Sequence, residues 1–167
     1  MKKTLGLVMA LVMILTAVCA LADIPSKTTA DLVVVTTTNK RVVVKVTENE
    51  TKPVTELLET LAVSNSIPYA AKQTLPEGST YKQVLEAVTL KIEGGTAEED
   101  LVLNLAFQTN FKGKNVAVFL GAIEKDAIVE WKSVETVGKD DGTIDLTLDG
   151  EIQDWLNGRE FIVLIAV

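Results

Sequence analysis

The residue types present decide which chemistry this sequence offers. It contains no histidine, and its one cysteine, Cys19, lies in the first twenty residues. Residues 23–167 therefore provide no Ser-His-Asp triad, no Cys-His pair and no zinc or haem site of the usual ligands. Hydroxyl, amine and carboxylate groups remain. No catalytic residue is assigned from them, and no cofactor is expected.

Ser79-Thr80-Tyr81-Lys82 matches S-x-x-K, the nucleophile motif of penicillin-recognising enzymes. There one helical face carries both groups, so the amine takes the hydroxyl proton. The companion S-D-N and K-T-G elements do not follow, and the chain is too short for that two-part fold. Ser79 or Thr80 is instead expected to cap a short helix running through about Ala87.

Carboxylates come next. A glycosidase needs two across a cleft, one with its pKa raised by burial. Glu98, Glu99 and Asp100 fall in a turn, and Asp140 and Asp141 at a hairpin tip, where solvated loop charge is the plainer reading. Asp140, Asp141 and Asp145 are the candidate calcium ligands, since hard cations take carboxylate oxygens. Their order lacks the alternating acids and trailing Glu of an EF-hand, and no metal site is assigned.

Aromatic side chains supply the candidate ligand-binding residues. An exposed indole stacks on the apolar face of a pyranose. Trp131 sits beside Val129 on a strand and is expected in the core. Trp155, on a short helix, is the better sugar platform. Tyr69 and Tyr81 flank an irregular segment and are placed to line a groove with it.

Export precedes any of this. Lys2 and Lys3 open an apolar run from Leu5 to Val18, and Ala20-Leu21-Ala22 supplies the small residues of a cleavage site before Asp23. This is the layout of a secretory signal peptide at 1–22, with no stable membrane insertion after cleavage. The alternative is an uncleaved anchor, for which the run is slightly short of the roughly 20 residues a span needs. Val18 before Cys19 does not fit a lipoprotein site.

Removing Lys2 and Lys3 takes the basic count from 16 to 14 against 23 acids, a net charge of −9. That balance argues against nucleic acid, whose phosphates call for clustered Lys and Arg. It argues equally against anionic lipid. Residues 23–167 suit one domain that folds without disulfides. Leu75-Pro76-Glu77-Gly78 lacks the Thr of a cell-wall sorting signal, and Asn49-Glu50-Thr51 satisfies the glycosylation sequon without bearing on the functional reading.

The elements that position these residues follow from periodicity. Asp31–Thr38 and Arg41–Thr47 are β-branched runs around Asn39-Lys40 and read as a hairpin, with Val42, Val44 and Val46 on one face. Val54, Leu57, Leu58 and Leu61 have helical spacing. Alternation resumes at Val88, Leu90 and Ile92, then at Leu101, Leu103, Leu105 and Phe107, at 127–137, and at Ile144, Leu146 and Leu148. Val116–Ile123 and Phe161–Val167 are apolar on both faces and read as central strands. Asp149 is placed to cap a short helix that Asn157-Gly158 stops.

The sum is an α+β fold, mostly β. An antiparallel sandwich-like body of about eight strands fills 88–167, with two or three short helices and one helical segment at 53–87. The hairpin and helices at 23–87 belong to the same domain.

Val116-Ala117-Val118-Phe119-Leu120-Gly121, Glu130-Trp131, Asp141-Gly142-Thr143-Ile144 and the apolar terminus resemble small uncharacterised secreted proteins of Gram-positive anaerobic bacteria. The resemblance spans Leu101 to Val167. It implies a bacterial surface or extracellular domain and carries no functional residue across.

The expected function is a secreted, non-catalytic module at the cell envelope, structural or recognising an unknown protein or glycan. The alternatives are a carboxylate-dependent hydrolase of glycans or peptides, and an inhibitor or accessory subunit presenting loop 108–115. The Val- and Thr-rich first strands are also candidate edges for pairing with another chain.

Overall fold

The computed structural model describes residues 34–37, 42–47, 51–94, 99–125 and 127–167. The export segment, the Asn39-Lys40 turn, Asn49 and Glu98 lie outside the described residues.

The described chain runs β1 (Val34–Thr37), β2 (Val42–Val46), α1 (Lys52–Ser64), α2 (Tyr69–Lys72), β3 (Val84–Gly94), β4 (Leu101–Ala106), β5 (Asn115–Glu124), β6 (Ala127–Val137), β7 (Ile144–Leu148), α3 (Gly150–Leu156) and β8 (Glu160–Ala166). The strands form two antiparallel sheets. One has the order β1-β4-β7, the other β2-β3-β8-β5-β6. The fold is mostly β, of the α+β class.

Alternation explains how the sheets stack. Leu101, Leu103, Leu105, Ile144, Leu146 and Leu148 turn from the three-stranded sheet onto Val88, Leu90, Val118, Leu120, Phe161 and Val163 of the larger one. The larger sheet is apolar on its other face too, through Ala117, Phe119, Ile162 and Leu164. That face is covered by Val54 and Leu61 of α1 and Ala71 of α2. The order of layers is thus small sheet, large sheet, helices. β5 and β8 are central strands, and every residue from Phe161 to Ala166 is buried. Their continuous apolar runs are what burial on both faces demands.

Two local expectations are corrected. The first two strands do not form a hairpin: β1 pairs with β4, while β2 pairs with β3 in the other sheet. Alternation places Val42, Val44 and Val46 inward under either pairing, so it does not choose a partner. The second concerns residues 79–87. Residues 79–82 are irregular, and β3 begins at Val84, so the helical segment ends well before Ala87. A register shift between Val84 and Glu86 breaks the two-residue period there. It sends Leu85 to one core and Val84 and Ala87 to the other, which mimics helical spacing.

Capping of α3 is as expected. Asp149 accepts the Ile152 N–H at 2.8 Å.

Loop 108–115 does not stand free of the body. Phe111 is buried, and its N–H donates to Gly142 O at 3.1 Å. Gly113 N–H donates to Gly138 O, and Gly138 N–H to Lys114 O, both at 2.9 Å. The loop is clamped against the 138–142 turn, while Gln108, Asn110 and residues 112–115 remain exposed.

Candidate functional site

The side chains best organised for contact lie on the outer face of the three-stranded sheet. Leu103, Leu105, Ile144 and Leu146 point inward, so Asn104 and Asp145, directly opposite one another, must point outward. Asn104 Nδ2 donates to Asp145 Oδ1 at 2.7 Å and to Thr143 Oγ1 at 2.8 Å. Lys139 Nζ meets Asp145 Oδ2 at 3.0 Å. Thr36 stands opposite Asn104 on β1, and Thr147 opposite Val102. Thr36 and Thr147 are exposed, and Val102, Asn104, Thr143 and Asp145 are half-buried.

The electrostatics match the geometry. The Asn104 hydrogen bond, aided by Lys139, holds the Asp145 carboxyl below its ordinary pKa against the opposing effect of burial. Asp141 Oδ1 accepts the Thr143 hydroxyl at 2.7 Å and its N–H at 3.0 Å, which lowers the Asp141 pKa. Lys139 is raised by its bond to Asp145.

These contacts bear on the calcium candidates. Asp145 is engaged by Asn104 and Lys139, and Asp141 by Thr143. Asp140 lies 3.4 Å from Lys112 Nζ. Three carboxylates committed to local donors do not converge on one point. Among the described residues, no group of three or more His, Cys, Asp or Glu is placed to hold a metal.

The aromatic candidates are divided between the faces of the large sheet. Trp155 packs against the core between the sheets, while Tyr81 packs against the core under the helices. Tyr69, on α2, is 79% exposed. The three do not share a groove. Trp155 Nε1 donates to Glu130 Oε2 at 2.8 Å, and Lys132 Nζ lies over its ring, 5.3 Å from the centroid. Lys132 also pairs with Glu151 at 2.6 Å. With its N–H committed and one face under an ammonium, this indole is a poor sugar platform. Burial, with Glu135 as a hydrogen-bond partner, raises the Tyr81 pKa.

The S-x-x-K serine is also accounted for. Ser79 Oγ donates to Glu135 Oε1 at 3.3 Å from an irregular stretch, without the helix that would align it with Lys82. Glu99, Asp100, Asp140 and Asp141 are exposed. Among the described residues the one buried acid is Glu86, 3% exposed. It accepts the Thr109 hydroxyl and, at 3.3 Å, the Thr109 N–H. Its partner lies 23 positions away. Sequence reasoning missed it because the bulge hides that Glu86 turns inward.

No family model, curated protein or solved structure matches this chain. Among the described residues, no helix is long and apolar enough to cross a membrane.

Proposed function

We propose that this chain is a secreted, non-catalytic module that recognises a protein or glycan at the cell envelope through the outer face of the β1-β4-β7 sheet. The observation that carries the reading is the asymmetry of cover. The outer face of the large sheet lies under α1 and α2, whereas the described side chains of the small sheet's outer face belong to neither apolar core. There Asn104, Thr143, Asp145 and Lys139 are locked to one another. Prearranged polar groups on a strand scaffold lose little entropy on binding, which favours recognition over a flexible surface. The signal-peptide layout at 1–22 supports an extracellular setting.

The test is a glycan array and a pull-down from envelope extract, run with the unaltered protein and with an N104A/T147R variant. Specific capture lost in the variant supports the reading. Capture that survives it assigns recognition to another face. Turnover in a hydrolase panel, abolished by replacing Glu99, Asp140 or Asp141, would instead establish the carboxylate hydrolase.

A further inference from the structure

Strand β6 is an eleven-residue edge strand whose sequence is suited to pair with itself. β5 is its one ladder partner among the described residues. No backbone hydrogen bond to another described residue closes its outer rim. Such a row of unpaired N–H and C=O groups is a template for a further strand. Val129 and Val137 on this strand are 51% and 54% exposed, among the most exposed large apolar side chains described.

Edges are commonly defended by charge, but the pattern here also has a complement. Glu130 and Lys132 lie opposite Ala122 and Leu120 on one face of the sheet, two positions apart and of opposite sign. A two-fold axis through Trp131 sets Glu130 of one copy opposite Lys132 of the other. Symmetry makes that pair twice. The existing contacts leave room for it. Glu130 receives Trp155 on Oε2, which leaves Oε1, and Lys132 spends one of its three donors on Glu151. Trp131 leans back over β5, its ring 2.8 Å from where a Cβ on Gly121 would stand, so its bulk is drawn away from the rim.

We propose that β6 pairs antiparallel with β6 of a second copy, centred on Trp131, joining two five-stranded sheets edge to edge. The ladder is short. Ala122 pairs with Glu130 and Ile123 with Ile128, so Val129 is a bulge that bends the strand beside the contact. The association is therefore weak and depends on concentration.

Sedimentation velocity on the purified protein, from micromolar to near-millimolar, tests this. Self-association is expected, and E130K or K132E alone should weaken it roughly tenfold, because each changes two cross-strand pairs at once. The double swap E130K/K132E should restore it. E59K and K52E on α1, which alter net charge by the same amounts, should leave it unchanged. A monomer at every concentration overturns the proposal. So do single swaps without effect, or a double swap that fails to restore association in variants whose melting temperature is unchanged.

Discussion

Lys45 and Lys91 lie directly opposite one another on β2 and β3, and Glu93 holds both. Its Oε2 is 2.8 Å from Lys45 Nζ and its Oε1 2.9 Å from Lys91 Nζ. Like charges in directly opposed positions destabilise a ladder. One carboxylate converts that repulsion into a bridge and fastens the edge strand β2 to the sheet.

Glu93→Gln is expected to lower the melting temperature, by more than removal of Lys45 does, because it leaves two ammonium groups face to face. Lys45→Gln in the same background should recover part of the loss. The Lys45 bond, seconded by Lys91, lowers the Glu93 pKa from 4.5 to about 2. Its stabilising effect is fully present above about 4.5 and disappears as the pH falls toward 2. Thermal melts between pH 7 and pH 2 on both proteins should converge at the acid end. A constant gap across that range would show that the bridge is not what Glu93 supplies.

Gly138→Ala should be among the most damaging single-methyl changes. A Cβ there would stand 1.8 Å from the carbonyl oxygen of Phe111, a backbone atom tied into the clamp between the two loops. Either Phe111 leaves its buried site or the turn opens. The expected cost is about 3 kcal/mol or more in urea unfolding, of the size seen for overpacking in a tight interior.

Gly121→Ala probes a softer contact. The added methyl meets the far edge of the Trp131 ring and Ile128 Cγ2, at 2.8 and 2.9 Å. These side-chain atoms yield more readily than a carbonyl. The prediction is a folded protein, destabilised by about 1–2 kcal/mol, whose tryptophan emission shifts as Trp131 is displaced. Unchanged fluorescence would mean that the indole does not rest on Gly121 in solution.

Asp149→Ala removes the side-chain cap of α3 and should cost about 1 kcal/mol in chemical denaturation. Asp149→Ser should recover most of it, since a hydroxyl also accepts from the Ile152 N–H. At α1 the capping position is Thr51, whose side chain makes no cap hydrogen bond. The α3 cap is therefore the one expected to respond to exchange of the side-chain acceptor.

Much of the architecture was legible because a strand's two faces meet different surroundings. Leu101, Leu103 and Leu105, or Ile144, Leu146 and Leu148, announce one buried and one wet face. The unbroken apolar run of Phe161–Ala166 announces two buried ones. The Ser79–Ala87 reading failed where the bulge after Val84 disturbs the period. The site was less legible. Asn104 and Asp145 are 41 positions apart, and neither belongs to a motif. Nothing in their local sequence marks them as partners before β4 and β7 lie side by side.

Composition and local periodicity, read from the chain alone, settled that histidine is absent and cysteine confined to position 19, where most strands run, which side chains turn inward and how α3 is capped. Each depends on contacts within a few residues or on the contrast between apolar and polar. Tertiary structure alone decided that β1 and β2 enter different sheets, that Lys45 faces Lys91, and that Trp155 and Tyr81 lie on opposite sides of one sheet. Alternation orients a strand's faces but is indifferent to which strand lies beside it. That choice is made by the joint packing of two cores on either side of the five-stranded sheet.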